Sequence, residues 1–145
     1  MASKVSAILK SKGHHVVTVA TGDTVASVAR VLTRNRIGAA PVLNAGGELV
    51  GIISERDIIR AMSEHADQVL QFPADQLMTR DVKTCSSDDQ LVDVMGVMTL
   101  QRIRHLPVIE NGALHGIVSI GDVVKQRLEE VQSEAEELRR YIRSP

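Results

Sequence analysis

Two stretches of the chain carry apolar residues at the spacing of an amphipathic helix. Both follow the i, i+3, i+4, i+7 pattern, with Val25, Val28, Ala29 and Leu32 in the first and Leu91, Val94, Met95 and Met98 in the second. The pattern predicts two helices that each bury one face. Asp23, and Ser87 or Asp88, precede these helices at positions that favour a capping side chain.

Each predicted helix stands in the same series of elements. A short helix and a β-rich run come before it, and two strands around a Gly-containing turn and a last helix come after it. The preceding elements are Val5–Leu9 and Val16–Val19 in the first copy, and Asp75–Met78 and Val82–Cys85 in the second. The last helices begin at Ser54 and Ser119, which suit an N-cap. The order is βαββα, twice, which predicts a mixed α/β (α+β) fold.

The two series are copies of one unit. The segment IGAAPVLNAGGELVGIISERDIIR, from Ile37, aligns with IRHLPVIENGALHGIVSIGDVVK, from Ile103. The offset is 66 residues up to Pro41 and Pro107 and 65 after the turn, where a hairpin tolerates a one-residue difference. We therefore expect a first domain at 1–64, a linker at 65–73, a second domain at 74–128 and a helical extension at 129–145.

The last helix continues past the repeat with a different apolar pattern. Six apolar residues, which we call the seam, alternate at spacings of four and three: Val124, Leu128, Val131, Ala135, Leu138 and Ile142. This is heptad spacing, although fewer than three full heptads are marginal for an independent coiled coil. The seam therefore either helps to form a homodimer or packs back on its own domain.

Composition narrows the classes of function. The 145 residues are 43% hydrophobic and 24% charged, as in an ordinary globular domain. Aromatic residues make up 1% and the formal net charge is -1, so the chain offers neither stacking rings nor a basic field to nucleic acid. No apolar run reaches the roughly 20 residues that cross a bilayer. We expect neither nucleic acid nor a membrane as a partner.

The sequence contains one cysteine and no recognisable catalytic or metal-binding motif. Cys85 is the only cysteine, which excludes an internal disulfide and fits a cytoplasmic location. No CxxC or HExxH spacing predicts a metal site, and no catalytic motif is recognisable. Residues 1–22 contain no acid, as in a transit peptide, but they lack Arg and belong to the predicted repeat. We expect no enzymatic activity and no obligatory cofactor.

One short motif occurs once in each copy. Gly51-Ile-Ile-Ser-Glu-Arg-Asp57 and Gly116-Ile-Val-Ser-Ile-Gly-Asp122 both read glycine, apolar, x, Ser, x, x, Asp. Further matching residues are Pro41 and Pro107 before Val, the Asp-Thr-Val opening at Asp23, and Asp75-Gln-Leu-Met-Thr79. Over residues 4–128 the chain resembles a tandem CBS (cystathionine-β-synthase) domain pair, also called a Bateman module.

The resemblance implies two CBS domains packed about a pseudo-twofold axis, with two clefts between them. Members of the family bind AMP, ADP, ATP, NAD-type dinucleotides or S-adenosyl ligands in these clefts and usually act as sensors for a partner protein. For this chain we expect AMP first, then NAD(H) or ATP, and S-adenosylmethionine last, as a signal of energy or redox state to an unidentified regulated protein. The alternative is a ligand-free oligomerisation or scaffold module.

The signature aspartates have two possible roles. In the family they receive the ribose hydroxyls, and a carboxylate offers two acceptor oxygens to a vicinal diol. Yet Ser54 with Asp57, and Ser119 with Asp122, also read as capping boxes that open a helix. Both roles are compatible if Ser caps the helix while Asp faces the cleft.

The resemblance also implies that residues of both copies form each cleft. Strand residues would surround the adenine, and basic residues would contact the phosphate. The first cleft is expected to contain Ser54, Asp57, Val82, Lys83, Thr84, Arg104 and His105. The second is expected to contain Val16, Val17, Thr18, Gly38, Ala39, Arg56, Ser119 and Asp122.

The two copies differ where phosphate is expected. Arg104 and His105 of the second copy correspond to Gly38 and Ala39 of the first. Arg presents a planar fork of donors that suits phosphate oxygens, and protonated His adds a charge. We therefore expect tighter phosphate binding in the Asp57 cleft; the alternative is that Arg104 and His105 form only a solvated strand end.

Overall fold

The computed structural model describes residues 3–144. The first two residues of the predicted first domain and the last residue of the predicted extension lie outside the described residues. The chain divides into two compact units. We call residues 15–83 the first-copy unit, and the residues up to His14 together with those from Thr84 onward the second-copy unit.

The elements confirm the predicted mixed α/β architecture with two repeats and a long C-terminal helix. In chain order they are α1 (Val5–Lys12), β1 (Val19–Ala20), α2 (Val25–Asn35), β2 (Ala39–Leu43), β3 (Leu49–Ser54), α3 (Glu55–His65), a 3-10 helix (Ala66–Gln71), α4 (Ala74–Leu77), α5 (Leu91–Gln101), β4 (His105–Glu110), β5 (Ala113–Ser119) and α6 (Ile120–Arg143).

The first-copy unit is a three-stranded sheet with helices packed on it. The strand order is β1-β2-β3, with β1 parallel and β3 antiparallel to β2. Val25, Val28 and Leu32 of α2 are buried against the sheet residues Val42 and Ile53, as the periodicity predicts. Burying such a side chain contributes about 1.5–3 kcal/mol. The apolar face of α2 therefore fixes this helix on the sheet.

The segment between the predicted domains, 65–73, is packed into the first-copy unit. It contains the 3-10 helix, and Val69 in that helix is completely buried. Phe72 is also packed against the core of this unit. The segment expected to be a linker therefore contributes apolar side chains to the fold.

The second-copy unit is built around the hairpin of β4 and β5. The turn between these strands is Asn111-Gly112, with φ angles of 51° and 77°. Positive φ at both central residues is the geometry of a type I′ turn, which Asn-Gly favours. Leu91, Val94 and Met98 of α5 are buried against this hairpin, again as the periodicity predicts.

The predicted β-rich runs before α2 and α5 are much shorter than expected. In the first copy only Val19–Ala20 forms a strand, and in the second Cys85 makes a single parallel bridge to Val108. Cys85 N donates to Pro107 O at 2.9 Å. Extending either ladder towards its N-terminus requires an N–H from Pro41 or Pro107, and proline has none. The prolines therefore end the pairing.

The predicted caps of α2 and α5 are wrong. Thr24 is the N-cap of α2 and accepts from Ser27 N at 3.2 Å, whereas Asp23 accepts from Ala20 N in the preceding turn. Gln90 is the N-cap of α5 and makes no side-chain capping bond. At α2 the capping acceptor is the residue next to the helix, and Asp23 stabilises the turn that leads into it.

The short helices α1 and α4 pack with the copy that does not follow them in sequence. Val5, Ile8 and Leu9 of α1 are buried in the core of the second-copy unit. Ala74 of α4, followed by Met78, is buried in the core of the first-copy unit. The sequence repeat and the compact units therefore divide the chain at different places.

Candidate functional site

Asp57 and Ser54 form a reciprocal cap at the start of α3. Asp57 Oδ2 accepts from Ser54 N at 2.8 Å and from Ser54 Oγ at 3.0 Å, while Asp57 N donates to Ser54 Oγ at 3.2 Å. Asp57 is only 9% exposed. The capping box that the motif predicts is therefore present, and it fixes one carboxylate oxygen of Asp57.

The second oxygen of Asp57 is held more loosely. Thr79 Oγ1 donates to Asp57 Oδ1 at 3.4 Å, and Arg60 Nη1 lies 3.8 Å from the same oxygen. Thr79 itself is fixed by its backbone, which exchanges hydrogen bonds of 2.8 and 3.0 Å with Ile52 of β3. Asp57 Oδ1 is thus the carboxylate oxygen whose long contacts a ligand hydroxyl can replace.

Ser119 and Asp122 repeat this cap at the start of α6. Asp122 Oδ2 accepts from Ser119 N at 2.9 Å, and Asp122 N donates to Ser119 Oγ at 3.1 Å. Here, however, the carboxylate also accepts from Lys12 Nζ at 2.7 Å. The same ammonium donates to Ile117 O at 2.9 Å.

The two caps are therefore completed by different donors. Thr79 Oγ1 donates to Asp57 Oδ1, the oxygen outside the cap, whereas Lys12 Nζ donates to Asp122 Oδ2, the capping oxygen. Ile52 and Ile117 align at the offset of 65, as do Asp57 and Asp122. The first pair of acceptors receives the backbone N–H and the hydroxyl of Thr79; the second pair receives one ammonium group, that of Lys12. Lys12 thus contacts Asp122 directly at 2.7 Å, whereas the cation beside Asp57, Arg60, lies 3.8 Å from the carboxylate.

Lys12 is the functional candidate that the sequence did not reveal. It lies 110 residues from Asp122 in the chain, and the repeat motif gives no reason to pair the two. The predicted first helix ends at Leu9, whereas α1 continues to Lys12 and presents that side chain to Asp122. The only indication of this role in the sequence is that Lys12 is a basic residue at the end of a helix without acidic residues.

The environment of Asp122 favours its ionised form. Burial opposes ionisation, but the hydrogen bond from Lys12, the bonds from Ser119 and the charge of Lys12 together outweigh it. The pKa of Asp122 is therefore held below its usual value. A carboxylate that stays ionised and paired is suited to accepting hydroxyl donors.

The strand residues predicted for the two clefts lie directly before the short strand Val19–Ala20 and before the single bridge at Cys85. Val82 is half-buried, Lys83 and Thr84 are exposed, and Lys83 Nζ donates to Asp81 Oδ2 at 3.1 Å. The other predicted run, Val16, Val17 and Thr18, is half-buried and irregular.

Arg104 and His105 lie beside the cap of α6. His105 begins β4 opposite Ser119, and Arg104 O accepts from Ile120 N at 2.8 Å. The Arg104 side chain is exposed. Their predicted grouping with Asp57 joins residues of two units and stays a prediction.

Gly38 and Ala39 take the equivalent places beside the cap of α3. Ala39 is buried opposite Ser54, and Gly38 O accepts from Glu55 N at 2.9 Å. Arg56 is exposed on the first turn of α3. The strand end before each signature helix is thus built alike, and only the side chains differ.

Asp57 also lines a small cavity within the first-copy unit. The cavity has a volume of about 180 Å³ and is shared with Arg60, His65 and Phe72, among others. Pockets for drug-sized ligands are typically about 300–1,000 Å³. This cavity alone is therefore too small to enclose a nucleotide.

Five of the six seam residues on α6 are exposed, and Ala135 is half-buried. Leu128, Val131, Leu138 and Ile142 are 59%, 50%, 60% and 72% exposed, respectively. The alternative in which these residues pack back on their own domain is therefore wrong. No helix within residues 3–144 has the length and apolar character to cross a membrane.

The fold and the duplicated caps define a class of protein built from two copies of one α/β module. The sequence model of the CBS domain matches residues 5–64 and 74–129. The chain belongs to the CBS domain family, as a tandem pair, which confirms the resemblance seen in the sequence.

Several known proteins are similar to this chain. CBSX3, a mitochondrial CBS domain-containing protein of Arabidopsis thaliana, is 34% identical over 95% of this chain and 71% of its own length. The crystal structure of the CBS-domain containing protein ATU1752 from Agrobacterium tumefaciens matches with a TM-score of 0.85 at 41% identity, covering 88% of this chain and 95% of that one.

A more distant structure shares the fold. The CBS domain pair of protein MJ0100, solved in complex with 5′-methylthioadenosine and S-adenosyl-L-methionine, matches with a TM-score of 0.74 at 22% identity, covering 90% of this chain and 99% of that one. The protein whose structure this is binds adenosine-containing ligands.

Proposed function

We propose that this chain is a cytoplasmic regulatory module that binds an adenosine-containing ligand at Asp57 and Asp122, relays its presence to a partner protein, and catalyses no reaction itself. The observation that carries the proposal is the pair of equivalent carboxylates, each fixed by a capping box at the start of a helix. A fixed carboxylate is preorganised to accept a ribose diol. The adenosine ligands of the MJ0100 domain pair support this ligand class.

At the Asp57 site we assign phosphate binding to Arg104 and His105, and adenine binding to residues 82–84. Arg104 is exposed just before β4, so its side chain is accessible to an anion, and His105 is half-buried at the first position of that strand. AMP is the first ligand to test, followed by NAD(H) and ATP, and then S-adenosylmethionine. The Asp122 site is its counterpart, with Val16–Thr18, Gly38, Ala39 and Arg56.

A thermal-shift screen with AMP, ATP, NADH and S-adenosylmethionine tests the proposal. A ligand that binds only the folded chain stabilises it by RT ln(1 + [L]/Kd), about 2.7 kcal/mol at a concentration of 100 Kd. We expect a clear rise in melting temperature with at least one ligand. No shift with any of the four at millimolar concentration favours the ligand-free scaffold.

Calorimetric titration of an Asp57→Ala variant then locates the site. Hydrogen bonds to charged groups contribute about 1.5–3 kcal/mol, so the affinity should fall roughly 10- to 150-fold. Ser63→Ala, on the exposed side of the same helix, is the control and should leave affinity unchanged. A loss below about twofold in Asp57→Ala means that Asp57 only caps α3.

The exposed seam supports a second role, homodimerisation through α6. Its charges favour a parallel pair, because Glu134 of one copy then faces Arg139 of the other across the heptad interface. An antiparallel pair with the same apolar layers brings Glu134 against Glu134 and Lys125 against Arg139. We therefore assign the seam to a second copy of this chain, aligned in parallel.

Sedimentation of two charge-matched variants tests this assignment. Leu138→Glu places a carboxylate in the seam, whereas Ser133→Glu places the same group at an exposed position outside the seam. We expect Leu138→Glu to shift the chain towards monomer and Ser133→Glu to leave it dimeric. A Leu138→Glu chain that stays fully dimeric removes this role from the seam.

A further inference from the structure

We propose that Lys12 sets the ligand class of the Asp122 site, so that this site selects adenosine ligands with a 5′-phosphate over uncharged adenosine ligands. The inference rests on the proposed function, because it assigns a specificity to one of the two proposed sites. Its basis is the direct ion pair between Lys12 Nζ and Asp122 Oδ2 at 2.7 Å.

The ammonium group is positioned to serve two partners at once. Its bonds to Asp122 and to Ile117 O use two of its three N–H donors. The remaining donor is available to an anion placed beside the carboxylate. The Lys12 side chain is 35% exposed and that of Asp122 26% exposed, so a ligand can reach both groups.

Charge explains the expected selectivity. An unpaired Asp122 carboxylate repels a phosphate, whereas the Lys12–Asp122 pair is neutral overall and offers the phosphate a charged donor. An uncharged ligand gains nothing from the ammonium, and its ribose must share the carboxylate with Lys12. Phosphate is therefore the group through which a ligand benefits from Lys12.

The equivalent place beside Asp57 lacks this device. Thr79 donates with neutral groups to Ile52 O and to Asp57 Oδ1, and Arg60, which is largely exposed, lies 3.8 Å from that carboxylate oxygen. Selection by a cation in contact with the carboxylate is thus a property of the Asp122 site.

Lys12 is held in place by the packing of α1. Leu9 covers Gly116, and His14 Nδ1 lies 3.2 Å from His115 O just beyond the helix. These contacts stand on either side of Lys12 in sequence and bind the helix to β5. The ammonium is therefore preorganised at the site before any ligand arrives.

The test is an amide NMR titration of the full chain with AMP and with adenosine. The amide signals of Asp122 and Asp57 report on the two sites separately, so neither carboxylate needs to be mutated. We compare the wild-type chain with Lys12→Gln, with the charge-retaining Lys12→Arg, and with Lys10→Gln. Lys10 is exposed on the same helix. Lys10→Gln therefore removes one positive charge, as Lys12→Gln does, but at a position that does not contact Asp122.

At the Asp122 signal we expect AMP to bind at least about tenfold more tightly than adenosine, a difference that a charge-assisted hydrogen bond supplies. Lys12→Gln should reduce this ratio about tenfold, while Lys12→Arg and Lys10→Gln retain it and the Asp57 signal is unchanged. If the AMP-to-adenosine affinity ratio of Lys12→Gln stays within twofold of the wild-type ratio, the inference is wrong. It is also wrong if AMP binding is seen only at the Asp57 signal. Absence of binding at both signals in the wild-type chain instead overturns the proposed function.

Discussion

Met78 packs directly on the backbone of Gly51, so that a Cβ at position 51 would lie 2.7 Å from Met78 Cγ and 3.1 Å from Thr79 O. Gly116 is covered in the same way, with Leu9 Cδ2 at 2.7 Å from the position of a Cβ. The glycine that opens each signature motif therefore allows the short segment of α1 or α4 to close over the strand. This close packing brings Lys12 within hydrogen-bond distance of Asp122, and Thr79 within hydrogen-bond distance of Asp57.

Alanine at these two glycines should destabilise the fold unequally. Overpacking typically costs about 1–3 kcal/mol, and we expect Gly51→Ala to cost more, because it meets both the Met78 side chain and the Thr79 backbone. Gly116→Ala meets only the flexible end of Leu9. Urea unfolding measures both free energies.

Gly96→Ala is the control for this comparison. Gly96 lies inside α5, and beyond its chain neighbours and the backbone of its own helix no atom lies within 4 Å of an added Cβ. This substitution should stabilise the chain by roughly 0.5–1 kcal/mol, because alanine is the better helix former. A loss in Gly51→Ala no larger than that in Gly116→Ala contradicts the packing argument.

The Lys12–Asp122 pair should make a pH-dependent contribution to stability. The folded-state pKa of Asp122 is lowered, so folding favours the carboxylate over the acid. Its contribution is present above the unfolded pKa, about 3.9, and is lost as the pH falls through the lower folded pKa. Lys12→Gln should therefore destabilise the chain at pH 7, by about 0.2–1 kcal/mol for a partly exposed pair, and by less at pH 3.

Urea unfolding of wild-type and Lys12→Gln chains at pH 7 and pH 3 measures this difference. Lys10→Gln controls for the change in net charge and should show a smaller dependence on pH. A Lys12→Gln penalty that is equal at both pH values shows that the lysine stabilises the fold through its contact with Ile117 O rather than through Asp122.

The local chemistry of the fold was readable because it is encoded within a few residues. Ser54 with Asp57 and Ser119 with Asp122 form capping boxes from their three-residue spacing alone. The apolar periodicity likewise identified the buried face of α2. The predicted strand before Cys85 failed because the limiting residue, Pro107, lies in the partner strand, outside any local window.

Long-range pairing could not be read in the same way. Nothing near Lys12 in sequence indicates that α1 packs beside Asp122, because tertiary packing rather than local propensity decides which copy receives the helix. The direct contact of Lys12 with Asp122 depends on that packing. The sequence comparison therefore found an asymmetry at Arg104 and His105 and missed the one at Lys12.

Cys85 should be unreactive in the folded chain. Burial, followed by the charges of Asp89 and Glu110, raises the pKa of its thiol to about 12, and the thiolate is the reactive form. We expect alkylation by iodoacetamide at pH 8 to be at least about 100-fold slower than in urea-unfolded chain, because only about one thiol in 10⁴ is ionised at four pH units below its pKa. Rapid labelling of the folded chain contradicts the buried, apolar role of Cys85.

Two arginines at equivalent positions should be replaceable by glycine with a gain in stability. Arg36 and Arg102 end α2 and α5 in the left-handed conformation, each with φ of 54°. That conformation costs a non-glycine residue roughly 1–2 kcal/mol, and the greater unfolded-state entropy of glycine offsets part of the gain. We expect Arg36→Gly to stabilise the chain by about 0.5–1 kcal/mol in urea unfolding.

The same substitution at Arg30, exposed inside α2, should destabilise it by about 1 kcal/mol, since glycine is a poor helix former. If both variants lose stability alike, the Arg36 side chain stabilises the helix end by more than its backbone conformation costs.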